Sequence, residues 1–308
     1  MHILVVGGTG FIGQHLAGKL CAQGHKVTIP TRAYGRARDL LVYPTATVLQ
    51  ADVHDEAVID RLMARQQAVI NLVGILHSRP GKPYGPDFER AHVQLPRKLA
   101  QAACRHGVAR LLHVSALGAD PAAPSMYLRS KADGEAAIRA AYQAAAGAGE
   151  APGTYTLFRP SVVFGPQDNF LNLFARLARW FPVLPVGGAD ARMQPVHVDD
   201  VARAILNALT LPSAAGATYE LAGPDVLTLR ELVALAARAS GRPRPVLGLP
   251  DGLARLQALF FECLPGQPLM TRDNLDSLKA DNVASRGIAS ELGVVPTPVA
   301  AAVGYLRR

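Results

Sequence analysis

Cysteine is scarce: only Cys21, Cys104 and Cys263 occur among 308 residues. Three thiols cannot build a disulfide framework, so packing must hold the fold, and a reducing compartment is expected. Charge is sparse too, at 18% of residues, with 24 Asp and Glu against 32 Lys and Arg. Aromatics make up 6%, and the chain has a single Trp. The excess of +8 is spread along the chain and never forms a basic run interleaved with aromatics. That pattern argues against nucleic acid and favours an anionic cofactor or an anionic phospholipid surface. No stretch approaches the ~18 uninterrupted apolar residues of a spanning helix. The opening MHILVV has no cationic lead-in and runs straight into glycines, so it reads as a buried strand and not a secretory signal. The expected location is cytoplasmic, with peripheral contact at the inner face of a membrane as its extension.

What is present is a large core. Hydrophobic residues make up 49% of the chain, enough for one large domain or two modest ones. The first half alternates short β-branched runs with helical stretches. Strands are expected at 2–6, 26–29, 47–51, 68–72, 110–115 and 154–158. Helices are expected at 11–23, 55–65, 87–106 and 127–146, with Gly24 and Gly107 ending two of them. Residues 144–153 read as a frayed helix end and a loop. This alternation predicts an α/β fold, a doubly wound parallel sheet over 1–158. Beyond 158, Pro and Gly punctuate the chain, so 159–308 is expected to be mostly a smaller substrate-binding cap. Helices at 199–209 and 229–239 are expected there, and a segment near 195–211 should return to the first domain. The apolar 253–264 stretch reads either as cap core or as a helix dipping into a bilayer interface.

The first strand leads into Gly7-Gly8-Thr9-Gly10-Phe11-Ile12-Gly13, and a helix follows. In that context the glycines make a phosphate-binding turn: Gly7 for the bend, Gly10 for close approach, Gly13 for helix–strand packing. The helix start supplies free N–H groups and partial positive charge to a pyrophosphate. About 20 residues on, an NAD site carries Asp or Glu for the ribose hydroxyls. This chain has Arg32 there, followed by Arg36 and Arg38. A guanidinium suits a 2′-phosphate, so NADP(H) is expected ahead of NAD(H). Asp52 and Val53 follow the third strand, towards the adenine. Leu72, Val73 and Gly74 follow the fourth, along the ribose.

Tyr127 and Lys131 stand four apart and share one helix face. An ammonium beside a phenol favours phenolate and equips it to exchange a proton with a carbonyl or alcohol. Nine histidines invite a metal, but none pairs at ligand spacing, and no metal is expected. His77, His92 and His113 read as core or polar lining, and His197 as a helix cap.

GGTGFIG at 7–13, NLVG at 71–74, YLRSK at 127–131 and LFRPSVVFGP at 157–166 together resemble the short-chain dehydrogenase/reductase superfamily, in its extended, epimerase/dehydratase-like branch. The resemblance covers most of the chain. It implies a Rossmann domain with a dinucleotide on the glycine loop, Pro160 at the cofactor, Tyr127 as acid/base, and Lys131 holding the ribose and tuning Tyr127. It also implies a hydroxyl after the fifth strand to hold the substrate oxygen. HVSALG offers only Ser115, because Ala116 and Leu117 fill the next two places. Asn169 and Arg192 fall where the family's substrate loops lie.

HVSALGAD at 113–120, YLRSKADGE at 127–135, QPVHVDDVA at 194–202 and TRDNLDSLKADNV at 271–283 are similar, more narrowly, to the Rossmann-type accessory subunits of mitochondrial complex I and their bacterial homologues. That resemblance implies a respiratory or quinone-synthesis complex as partner. Three functions follow as expectations. The first is an NADP(H) oxidoreductase acting on a small, quinone-related carbonyl or alcohol. The second is a non-catalytic NADPH-holding assembly factor, and the third a nucleotide-sugar epimerase or dehydratase.

Overall fold

Ile3, Leu4, Val5 and Val6 are all buried in β1 (His2–Val6), so both faces of this strand are covered. Such a strand belongs inside a parallel sheet flanked by helices. The computed structural model describes residues 1–266 and 268–307 and contains that sheet. Its other strands are β2 (Lys26–Thr31), β3 (Ala46–Gln50), β4 (Ala68–Asn71), β5 (Arg110–Val114), β6 (Thr154–Pro160) and an edge strand, Thr218–Leu221. The order is β3-β2-β1-β4-β5-β6-edge, every neighbour parallel. The chain reverses its winding between β1 and β4, and the loops leaving those two strands open the crevice where such sheets bind ligands.

Helix α1 (Phe11–Ala22) and the helix Val198–Ala208 share one core: Leu16, Ala17 and Leu20 cluster with Val201, Ile205 and the sheet residues Ile3 and Val5. Asp199 fastens the pair, accepting from Lys19 Nζ at 3.1 Å and lying 3.2 Å from His15 Nδ1. A second core joins the helices Leu171–Trp180 and Leu229–Ala239 to Val299 and Leu306 near the end of the chain. Beside it, Leu184–Gly187 pairs in parallel with Val246–Leu249.

Three local expectations need correction. The helix expected at 87–106 contains a π turn, Glu89–Gln94, between Pro86–Phe88 and Leu95–Arg105. The helix Met126–Gly147 crosses that turn at Gly134, where a Cβ would stand 2.0 Å from the His92 carbonyl oxygen; only glycine permits the crossing. The same helix runs on to Gly147, because its alanines favour helix over the frayed end expected from 144. Finally, the 253–264 stretch is no core element: of the helix Asp251–Cys263, only Ala254 and Ala258 are buried. Cys21, Cys104 and Cys263 are free thiols. No helix among the described residues is long and apolar enough to cross a membrane.

Candidate active site

The glycine loop is fitted tightly at its turn and left open towards the crevice. Gly7 has φ +86°, and a Cβ there would meet Val73 N at 3.0 Å, so the loop rests on the β4 exit. At Gly13 a Cβ would lie 2.5 Å from Gly7 O, which sets how closely α1 approaches the turn. Gly10 caps α1 without a side-chain bond, and no acidic residue stands in the first turn. An uncapped, acid-free helix end is a place for an anion. Thr9, Phe11 and Ile12 are half-buried around it. Leu72 and Val73 pack into the cores on either side of the sheet, while Gly74 is exposed and lies 4.0 Å, measured from its notional Cβ, from Lys131 Nζ. Loop, helix end and the Gly74–Lys131 shelf together fit a pyrophosphate and a ribose.

Ser125 caps the helix that carries Tyr127 and Lys131, accepting from Leu128 N–H at 3.2 Å. A second cap comes from far along the chain: Asp273 accepts from Met126 N–H at 2.6 Å and Tyr127 N–H at 3.1 Å. Burial pushes the Asp273 carboxyl up, against the pull of those two bonds. Next to it, Asn274 Nδ2 donates to Leu76 O at 3.4 Å, so one short segment ties the β4 loop to the start of the helix.

The Tyr127 ring meets His92 edge-on, at 5.5 Å and 80°, and Phe88 at 6.1 Å. His92 is buried, and its Nε2 accepts from Ile75 N–H at 3.0 Å, so its proton sits on Nδ1, 2.8 Å from Ser130 Oγ. Ser130 in turn donates to Tyr127 O at 2.7 Å. Asn71 Oδ1 accepts from Val73 N–H, which aims its amide at His113 Nδ1 (3.1 Å) and leaves His113 Nε2 without a partner among the described residues. Burial first, then the Lys131 charge, hold both imidazoles neutral, far below the ordinary range. Both histidines thus line the site as core groups. His197 caps its helix, accepting from Asp199 N–H at 3.4 Å.

Two expectations about the catalytic group change here. Lys131 Nζ donates to Val114 O at 2.7 Å, so its ammonium is bonded to the β5 backbone and not to the phenol. Burial pushes Tyr127 up to about 12, where the pairing was expected to lower it, and the free protein therefore holds a protonated phenol. Ser115 is buried at the end of β5. Its hydroxyl lies beside the Glu135 carboxylate, with no partner at hydrogen-bond distance, while Ala116 packs in the cluster that includes Tyr127.

Burial holds Lys131 at about 8, with the Glu135 charge pulling the other way. The unfolded chain keeps this proton up to the ordinary value of 10.5, so between about 8 and 10.5 it binds more protons than the native state. Stability should rise with pH across that window, and Lys131→Met should lose the rise. Denaturant midpoints of both proteins at about pH 7 and about pH 10 check this; parallel pH dependence would refute it.

Arg32, Arg36 and Arg38 are exposed at and after the end of β2. His54 nearby is held below its ordinary value first by burial, then by Arg90, with Arg32 and Lys98 adding to the effect and Asp52 opposing it. Asp52 accepts from His54 N–H at 3.0 Å and lies 3.7 Å from Arg90 Nη2. The Val53 side chain packs against the sheet core. Pro160 ends β6, its carbonyl accepting from Leu117 N–H at 2.9 Å. Asn169 is exposed next to Asp168, whose carboxylate accepts from Gly165, Phe170 and Asn172 N–H groups. Arg192 is exposed and lies 3.7 Å from Asp281. Among the described residues, no hydrogen bond joins Asn169 or Arg192 to the Tyr127–Lys131 group.

The model of the NAD dependent epimerase/dehydratase family matches residues 3–222. The chain belongs to that family. Within it, the chain is similar to the mitochondrial NADH dehydrogenase (ubiquinone) 1 alpha subcomplex subunit 9 of Mus musculus, 33% identical over 303 residues, covering 96% of this chain and 76% of the relative. It is also similar to the ceramide reductase of Caulobacter vibrioides, 30% identical over 253 residues, covering 81% of this chain and 74% of that one. The UDP-glucuronic acid 4-epimerase of Bacillus cereus, solved with UDP-glucuronic acid and NAD, shares the fold at a TM-score of 0.74 and 18% identity, over 100% and 99% of the two chains.

Asp273, which caps the helix carrying Tyr127 and Lys131, and Glu135, buried one turn beyond Lys131, escape sequence reasoning as site residues. The T-x-x-N pattern at 271–274 signals a helix start, and Thr271 with Asn274 does form a capping box. Nothing local says that the Asp inside it caps a different helix.

Proposed function

We propose that this chain is an NADP(H)-binding oxidoreductase of the short-chain dehydrogenase/reductase type, acting on a carbonyl or alcohol of quinone-related or lipid-like character. The observation that carries this reading is the half-buried phenol of Tyr127 one helical turn from the buried ammonium of Lys131, which borders Gly74 at the crevice mouth. The α1 start and Gly10 would hold the pyrophosphate, and Lys131 the ribose hydroxyls. When bound, the nicotinamide supplies or accepts hydride. Tyr127, protonated at neutral pH, donates to a carbonyl oxygen; in the reverse direction it must first lose its proton. The ring contacts of His92 and Phe88 fix the phenol's orientation.

NADP(H) is preferred to NAD(H) in this reading because Arg32, Arg36 and Arg38 crowd the β2 end where an acidic residue would otherwise bind the ribose. The lipid-like substrate draws on the reductase relative, and a respiratory or quinone-synthesis assembly as partner draws on the complex I relative. The cytoplasmic location included in the reading is supported by the three free thiols.

One observation favours a second reading, a cofactor-holding subunit without turnover: Ser115, the only hydroxyl in HVSALG, lies beside Glu135, and the residue after it in the cluster that Tyr127 borders is Ala116.

Titration with NADPH and NADH tests the cofactor assignment. Arg32→Ala should weaken NADPH at least about tenfold and leave NADH unchanged, the loss expected for one charge-assisted pair. Equal loss for both nucleotides would remove the 2′-phosphate role. Binding of neither by the wild type would sink the oxidoreductase reading.

A further inference from the structure

The helix Asp251–Cys263 is turned the wrong way for a core element. Ala254 and Ala258 form its inner face, and Ala254 packs on Gly187. Leu253, Leu256, Leu259, Phe260 and, just past the helix, Leu264 are 41–62% exposed. Their spacing of three and four residues makes a single stripe. This helix lies along the strand Leu184–Gly187, with Gln257 Nε2 donating to Pro185 O at 3.4 Å. The segment leading into that strand carries Trp180 and Phe181, 84% and 52% exposed. Leu247, opposite Pro185 in the paired strand, extends the apolar surface. An exposed apolar surface of this kind marks an interaction site.

Its charge indicates what covers it. Trp180 walls a recess of about 610 Å³ with Arg176, Arg179, Ser240 and Arg242, and no carboxylate lines it among the described residues. The acids near the helix are paired internally: Glu262 with Arg272 at 2.9 Å, and Asp276 with Arg255 and Lys279 at 2.7 and 2.8 Å. Asp251 stands at the opposite end of the helix, in its first turn. The face therefore offers an apolar stripe, a Trp at its border and, among the described residues, the exposed Arg176 and Arg242 in a recess that no carboxylate lines.

We propose that this face docks on an anionic phospholipid bilayer. Leu256, Phe260 and their neighbours in the stripe enter the acyl boundary. Arg176 and Arg242 meet lipid phosphates, and Trp180 sits at the headgroup level between them. The net charge of +8 adds long-range attraction to such a surface. The proposal stands apart from the cofactor crevice and does not depend on turnover there.

Trp180 is the only tryptophan and is therefore a built-in probe. The full-length protein is titrated with vesicles of phosphatidylcholine alone and of phosphatidylcholine with phosphatidylglycerol. With the anionic vesicles, Trp180 emission should shift to the blue and become protected from iodide, and both effects should weaken as salt rises. Arg176→Gln with Arg242→Gln should lower partitioning about 25-fold, at roughly fivefold per charge. Leu256→Ser with Phe260→Ser should lower it at least about tenfold. Both pairs replace exposed side chains, so unfolding midpoints should match the wild type and provide the folding control. An unshifted spectrum with anionic vesicles, or equal partitioning into phosphatidylcholine alone, overturns the proposal. So does the same response to inorganic phosphate without lipid, which would make the recess a free-phosphate site. A lipid-independent blue shift that grows with protein concentration would assign the face to a second copy of the chain.

Discussion

Tyr127→Phe should lower turnover of a carbonyl substrate by about 10²–10⁴-fold, the usual contribution of a positioned proton donor. The substitution removes one oxygen and keeps the ring, so the edge contacts with His92 and Phe88 survive, as does the Ser130 bond to the residue's carbonyl. NADPH affinity and unfolding midpoint should therefore stay at wild-type values. Because burial holds the phenol at about 12, reduction should be insensitive to Tyr127 ionisation near neutrality, while alcohol oxidation should accelerate as pH rises through the alkaline range. The measurement is NADPH consumption over a panel of ketones and quinones, together with complementation of a deletion strain. If Tyr127→Phe complements fully and matches the wild-type rate, proton transfer is not this residue's task, and the cofactor-holding reading replaces the enzyme.

Glu135→Ala should cost the fold about 3 kcal/mol, the lower end of what breaking a buried ion pair costs. Glu135 is fully buried one turn beyond Lys131 and accepts two bonds from Arg159, at 2.8 and 2.7 Å, and one from Arg139 at 3.1 Å. Removing the carboxylate leaves the Arg159 guanidinium half-buried without its counter-ion, and leaves Ser115 without its polar neighbour. Burial raises the Glu135 carboxyl, but the Arg159 bonds, Ser115 and the two guanidinium charges outweigh it and hold the group below its ordinary 4.5. A depressed carboxylate stabilises the native state fully above the unfolded value, and that contribution fades as pH falls from 4.5 to the lower folded value. Urea midpoints of the wild type and of Glu135→Gln should thus converge in acid. A neutral-pH midpoint unchanged in Glu135→Ala would show that the network contributes nothing to stability.

The two residues after β5 show where sequence reasoning stops. Ser115 is the only hydroxyl in HVSALG, so a reading by residue type must choose it. Side-chain direction depends on how the chain turns as it leaves the strand, where Ser115 N–H is already bound to Phe158 O and Leu117 N–H to Pro160 O. Those bonds to β6 hold the turn in which Ser115 lies beside Glu135 and Ala116 joins the apolar cluster that Tyr127 borders. The placement of Tyr127 is equally non-local: His92 in the π turn, 35 residues earlier, meets its ring, and Asp273, 146 residues later, accepts from its N–H.

The sequence by itself determined what local rules reach. Six strands follow from β-branched runs, the phosphate turn from glycines between strand and helix, and the sharing of one face by Tyr127 and Lys131 from the 3.6-residue period. Tertiary structure decided whatever depends on which surface meets which. It joined Thr218–Leu221, too short to stand out among Pro and Gly, to the sheet edge. It supplied a helix cap from the far end of the chain, and it raised the phenol's pKa where a neighbouring ammonium alone would have lowered it. It also left the apolar stripe of Asp251–Cys263 facing outward. Periodicity measures only that such a stripe exists; whether core, bilayer or another chain covers it depends on contacts the sequence pattern does not contain.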